Sequence, residues 1–257
     1  MPYLTWKHRR THYSEFRDDL RGRWPALVLV HGAGGNLYHW PPGLRRLPDH
    51  NVYAIDLPGH GRSEGPGCDQ IGDYVEFIRD WAEALGAPPF VLAGHSMGGA
   101  IAQTFALRYP NRLKGLVLVA TGARLRVHPR ILEGIRSDKA GVAELLAEWA
   151  HGRRATPAQR RQFIRYVMAV DTDVMYGDWL ACDRFDIMGR LEDIQTPTLI
   201  IAGEQDVMTP VKYARYLADH IPDSDLVIIP DAGHMVMSEQ PELTISAIAG
   251  FLERLAR

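Results

Sequence analysis

Ser96, Asp206 and His234 are a hydroxyl, a carboxylate and an imidazole set far apart in a chain of 257 residues, and each follows a short apolar run. Ser96 stands in Gly94-His95-Ser96-Met97-Gly98, directly after Pro89-Phe90-Val91-Leu92-Ala93 and before the helix-like stretch 99–107. A G-x-S-x-G between a strand and a helix puts the serine on a tight turn with its hydroxyl pushed outward. A serine hydroxyl is a poor nucleophile at neutral pH. It needs a base to take its proton, and the base needs a third group to fix its tautomer. Asp206 ends Gly203-Glu204-Gln205-Asp206, after the run Thr198-Leu199-Ile200-Ile201. His234 ends Pro230-Asp231-Ala232-Gly233-His234, after Leu226-Val227-Ile228-Ile229. Such residues can form and hydrolyse an acyl-serine.

Each residue has a plainer reading. An aspartate shortly before Thr209-Pro210 is often a turn former or helix cap, and His234 is one of 11 histidines. Glu204 is a rival acid two residues from Asp206. Ala120-Thr121-Gly122, which follows another apolar run, has no carboxylate, and this favours Asp206.

The tetrahedral intermediate of acyl transfer carries an oxyanion that needs backbone N–H donors. Met97, next after the serine, is expected to supply one. Ala33, in the small-residue loop His31-Gly32-Ala33-Gly34-Gly35-Asn36, is expected to supply the other. A turn shaped only for chain reversal is the alternative. The loop is no dinucleotide fingerprint, because it lacks the G-x-G-x-x-G spacing. Substrate contacts are expected at Gly32, Trp179, Val207 and Met235, with further apolar wall from among Trp149, Phe163, Tyr166, Met168, Met175, Tyr176, Phe185 and Met188.

The elements that must hold these groups are legible as a pattern. Near-continuous apolar runs at 27–30, 52–55, 90–93, 116–119, 198–201 and 226–229 read as strands covered on both faces. Helix-length amphipathic segments lie between them, at 69–85, 210–220 and 239–255. This alternation predicts an α/β fold with a mostly parallel sheet and helices on both faces. Loops at the carboxyl ends of its strands form the ligand-binding edge. Residues 4–16 are a weaker candidate for an antiparallel edge hairpin. The alternation breaks between 122 and 191, where helical spacing (Val142, Leu145, Leu146, Trp149; then Phe163, Ile164, Val167) replaces strand-like runs. The division expected is a core of 1–121 and 192–257 with a helical insertion at 122–191.

Composition narrows the partners. Lys plus Arg number 29 against 31 Asp plus Glu, with no basic block, so nucleic acid is not expected. The arginines Arg153, Arg154, Arg160 and Arg161 read as a solvated helix face rather than an anion site. Cys68 and Cys182 make neither a disulfide framework nor a metal site and read as free thiols. No signal-peptide pattern and no membrane-length apolar run is present. The expectation is a cytoplasmic protein, monomer or homodimer, needing no metal or other cofactor and acting on a small-molecule ester.

Taken together, the chain resembles the α/β-hydrolase superfamily over nearly its whole length. The resemblance rests on His31-Gly32-Ala33-Gly34-Gly35, Asp56-Leu57-Pro58-Gly59-His60-Gly61-Arg62-Ser63, Gly94-His95-Ser96-Met97-Gly98-Gly99, Pro197–Gly203 with Asp206, and Ala232-Gly233-His234 before Glu239-Gln240-Pro241. The order Ser, Asp, His agrees. The resemblance implies an eight-stranded type of sheet, a helical cap inserted after strand 6, and a structural role for Asp56, His60 and Ser63. Serine at 96 implies an acyl-enzyme, where related dehalogenases and epoxide hydrolases carry a carboxylate. It points to a carboxylesterase for apolar esters of small to medium size. A lactonase, a cofactor-free perhydrolase of haloperoxidase type, an acyltransferase and a ligand receptor without turnover remain open.

Overall fold

The computed structural model describes residues 2–17 and 24–255. Eight strands form one sheet: β1 (Tyr3–Trp6), β2 (Arg9–Phe16), β3 (Leu27–Val30), β4 (Val52–Ile55), β5 (Phe90–His95), β6 (Leu113–Val119), β7 (Thr198–Gly203) and β8 (Ser224–Ile229). Their order across the sheet is β1-β2-β4-β3-β5-β6-β7-β8. From β4 onward every pairing is parallel, whereas β2 pairs antiparallel with both β1 and β4. The weakly patterned N-terminus is therefore an edge hairpin. Lys7 and His8 turn it with positive φ (45° and 65°), the geometry of a two-residue hairpin loop.

The helices are α1 (Pro42–Arg45), α2 (Ile71–Ala84), α3 (Met97–Arg108), α4 (Pro129–Ser137), α5 (Lys139–Ala150), α6 (Pro157–Ala169), α7 (Thr172–Arg184), α8 (Val211–His220), α9 (Val236–Glu239) and α10 (Pro241–Leu255). The unbroken apolar runs are explained by burial on two sides. Val28, Val30, Leu92, Leu116, Leu118 and Ile200 pack with residues of α2, α3 and α8. Their neighbours Leu27, Leu29, Val91, Val117, Leu199 and Ile201 pack with Trp40, Leu44 and residues of α10. In a strand, successive side chains point to opposite faces, so a sheet covered twice needs apolar residues at every position.

Helices α4 to α7 lie in the chain between β6 and β7 and share a third apolar cluster that includes Ile131, Leu146, Val167, Met175 and Trp179. Local signals set their starts. Asp138 caps α5, Thr156 forms a capping box with Gln159 on α6, and Asp171 accepts two amides of α7. Among the described residues no helix is long and apolar enough to cross a membrane.

Candidate active site

Ser96 occupies the link between β5 and α3 at φ 53°, ψ −115°, a conformation costly for any residue with a side chain. The surroundings hold it there. Its N–H donates to Val119 O at 2.9 Å, and Thr121 Oγ1 donates to its carbonyl at 2.8 Å. The flanking glycines are required by close approach. A Cβ on Gly94 would lie 2.0 Å from Gly98 O, and one on Gly98 would lie 2.5 Å from Val30 O.

His234 and Asp206 meet across β7 and β8. His234 Nδ1 is 2.9 Å from Asp206 Oδ2, and both residues are buried. An ionised carboxylate only accepts, so Nδ1 carries the proton and Nε2 is left as the base. Asp206 also accepts from the amides of Met208 (2.8 Å) and Thr209 (2.9 Å) and from the Thr209 hydroxyl (2.7 Å). Asp206 thus forms the cap-like turn of the plainer sequence reading and contacts the histidine as well. Glu204, the rival acid, instead lies 3.4 Å from the Asp231 amide.

Ser96 and His234 line one cavity of about 350 Å³. Among the described residues no hydrogen bond joins the Ser96 hydroxyl to His234. Such bonds are often long in resting enzymes and tighten when substrate is bound. The amides of Met97 and Ala33 have no hydrogen-bond acceptor among the described residues, so both donors are free to serve an oxyanion.

Trp179, Val207 and Trp149 line this cavity. Gly32 and Met235 do not line it. Gly32 instead lies under the serine turn, where a Cβ would meet Ser96 Cβ at 3.1 Å, and Met235 borders a separate small cavity with Phe163 and Tyr166. Met175 is core and Met168 is 43% exposed. Burial pushes the Cys182 thiol, on the cavity wall, well above the ordinary thiol range and Cys68 up to about 12, which disfavours the nucleophilic thiolate at both.

The loops around the site are tied by buried polar groups. Asp56 accepts from His12 Nδ1 (2.7 Å) and from the amides of Leu37 (2.8 Å) and Arg62 (3.0 Å). Burial alone raises its pKa, but these bonds outweigh it and hold the carboxyl below its ordinary value. Ser63 donates to Asp56 O at 2.7 Å. Neither Asp56, His60 nor Ser63 reaches the Ser96 cavity. His31 donates from Nδ1 to Gly32 O (2.8 Å) and accepts the Leu57 amide at Nε2 (3.1 Å). Burial, with His60 nearby, pulls its pKa down to about 3, so it is neutral and holds the glycine loop as a fixed tautomer. His95, directly before Ser96, donates from Nε2 to His234 O at 3.0 Å, and burial keeps it well below the usual histidine range.

Three residues to which sequence reasoning assigned no role are prominent. Asp178 on α7 is fully buried and accepts from the Gly34 amide, His60 Nε2 and the Tyr74 hydroxyl. Its signal was an acid on a helix stripe shared with Val174, Met175 and Cys182, a position that demands partners. Glu239 bridges the amides of Gly152 (2.8 Å) and Gly233 (3.0 Å), joining the end of α5 to the His234 loop. Arg126 stands on the cavity wall. The four arginines assigned to a solvated face are absent from that wall; Arg154 pairs with Asp231 at 2.8 Å, and Arg160 donates to Gly152 O.

Known proteins with this fold are numerous. The structure superposes on a thermophilic esterase with a TM-score of 0.85, 33% identity and coverage of 99% of this chain and 97% of the other. A pimeloyl-[acyl-carrier protein] methyl ester esterase of Pectobacterium atrosepticum is 28% identical over 243 residues, 88% of this chain and 94% of its own. The dihydrolipoyllysine-residue acetyltransferase component of the acetoin cleaving system of Pseudomonas putida is 29% identical over 248 residues; these are 89% of this chain but 63% of that longer protein. The sequence model of the α/β hydrolase fold matches residues 25–241. The strand order, the serine turn and this match agree, and the chain belongs to the α/β-hydrolase family.

Proposed function

We propose that the protein is a serine esterase that hydrolyses carboxylic esters through an acyl-enzyme. The carrying observation is that Ser96, on its strained turn, shares a mostly apolar cavity with His234, whose Nδ1 is held by Asp206 at 2.9 Å. His234 Nε2 takes the Ser96 proton as Oγ attacks the ester carbonyl. It then protonates the leaving alcohol and later activates the water that releases the acid. The Met97 and Ala33 amides hold the oxyanion, an effect worth ~3 kcal/mol per donor in comparable sites. None of these steps requires a metal or organic cofactor.

The segment 122–191 acts as a cap over the site. Its Trp149, Trp179 and Ile131 give the cavity apolar walls suited to esters of small to medium size. The esterases among the similar proteins support the ester reading. The protein is taken to work in the cytoplasm as a monomer or homodimer.

The test is hydrolysis of short p-nitrophenyl esters by the wild type, Ser96→Ala and His234→Ala. Multiple turnovers lost in both variants are expected. Turnover that survives Ser96→Ala, or saturable binding with neither burst nor turnover, would overturn the proposal, the latter in favour of a receptor. Added peroxide or alcohol tests the perhydrolase and transferase alternatives through the acceptor that captures the acyl group.

A further inference from the structure

Arg126 and Tyr213 line the Ser96 cavity, and the same two residues line a second cleft of about 360 Å³ together with Arg124 and Lys212. No carboxylate lines either space. Arg124 is paired with Asp186 at 2.7 Å, and Asp186 also feels the charge of Arg126. Among the described residues Arg126 and Lys212 have no ion-pair partner of their own. Two acids, Asp186 and Asp183 (which accepts the Val127 amide at 3.1 Å), therefore stand against the three cations Arg124, Arg126 and Lys212, while Val127, Trp149 and Trp179 give the Ser96 cavity apolar wall.

We propose, resting on the esterase reading, that the physiological substrate is an ester carrying an anionic group at its far end. The scissile carbonyl lies at Ser96, an apolar stem crosses the tryptophans, and a carboxylate or phosphate meets the Arg126 guanidinium, with Lys212 beyond it. Guanidinium is suited to this because its planar fork binds either anion through two N–H donors. The adjoining apolar wall limits water access and strengthens the pairing, while exposure at the rim keeps it modest. Its effect is on selection among esters more than on the chemical step.

The experiment compares kcat/KM for monomethyl adipate, whose acyl chain ends in a carboxylate, with methyl hexanoate, which ends in a methyl group. A parallel pair places the carboxylate on the alcohol side, and a phosphonate-ended acyl chain separates the two anions. The wild type is expected to prefer an anionic ester by about tenfold, a rim ion pair supplemented by bidentate bonding. Arg126→Gln should bring the ratio close to one, and salt at about 0.5 M should reduce it. Arg161→Gln, which changes an exposed arginine that lines neither cavity, should leave the ratio and the activity unchanged.

Binding supplies an arm that needs no turnover. Calorimetry on Ser96→Ala should show monomethyl adipate bound more tightly than methyl hexanoate, with the difference lost on adding Arg126→Gln. Equal binding of the two esters, or a preference indifferent to Arg126, overturns the anionic subsite. Absence of Ser96-dependent turnover on every ester overturns the esterase reading instead, and the calorimetric comparison still decides the subsite.

Discussion

His60 and Asp178 meet at 2.8 Å in the interior, one from the loop after β4 and the other from α7. His60 Nδ1 faces Pro58 O at 3.0 Å, while Nε2 faces the Asp178 carboxylate. Both ring nitrogens face acceptors, so both carry protons and the ring is an imidazolium. The same Asp178 oxygen accepts the Gly34 amide at 2.8 Å, and its other oxygen accepts the Tyr74 hydroxyl at 2.6 Å. One side chain of α7 thereby fixes the loop that carries the Ala33 amide.

Asp178→Ala is expected to destabilise the fold by about 3–5 kcal/mol, the cost of leaving a buried charge without its partner. It should lower the urea midpoint without altering the slope. In the folded fraction, kcat should fall more than KM rises, because the freed Gly34 amide loosens the loop that carries the Ala33 amide proposed to hold the oxyanion. A kcat unchanged while stability drops would confine Asp178 to a structural role.

The His60 pair also sets a pH dependence. Burial lowers the imidazole pKa, but the Asp178 carboxylate outweighs burial and the net value is raised. A raised folded value means that the stabilisation is complete below the unfolded pKa of about 6.5 and is lost as pH rises through the folded one. The difference in unfolding free energy between wild type and His60→Gln should shrink between about pH 6 and pH 9. A difference that stays constant over that range would contradict the imidazolium assignment.

Thr209→Val keeps the shape and the amide that serves Asp206 but removes the hydroxyl bonded to Oδ2 at 2.7 Å. The carboxylate is then less firmly aimed at His234. A loss of about 1–1.5 kcal/mol in the chemical step, near tenfold in kcat, is expected with KM little changed. Steady-state kinetics on one p-nitrophenyl ester reads both quantities, and a change confined to KM would refute the role.

Glu239→Gln should be worse than its size suggests. Burial raises the Glu239 pKa, while the two amides it accepts work against that rise. A glutamine offers one acceptor oxygen and turns an NH2 group toward the other amide. The expected cost is about 1–3 kcal/mol of stability, with faster proteolysis near Gly152 as the local readout. Equal stability of the two proteins would show that the bridge contributes nothing net.

Glycine substitutions separate packing from helix propensity. Gly98→Ala drives a Cβ to 2.5 Å from Val30 O and 2.7 Å from His31 O, both backbone atoms that cannot step aside. A loss of about 3 kcal/mol or failure to fold is expected. Gly250→Ala, in α10 with nothing within 4 Å, should stabilise by up to about 1 kcal/mol. Thermal unfolding of the pair checks both signs.

The sequence alone determined the alternation of strands and helices, the serine turn and the glycine loop. These follow from periodicity and turn chemistry, which act over a few residues. It also nominated Asp206 and His234, because both end apolar runs that must lie side by side in a parallel sheet. The edge hairpin was faint because a strand with one exposed face carries a diluted apolar signal; its burial alternates in β1 and is only partial through much of β2. Tertiary structure decided the rest. Asp178 finds Gly34 across 144 positions and His60 across 118, Glu239 finds Gly152 across 87, and Arg126 shares the cavity of Ser96 with Trp149 of α5 and Trp179 of α7. Such contacts depend on the relative placement of whole elements, and that placement is set by the sum of core packing rather than by any local pattern of residues.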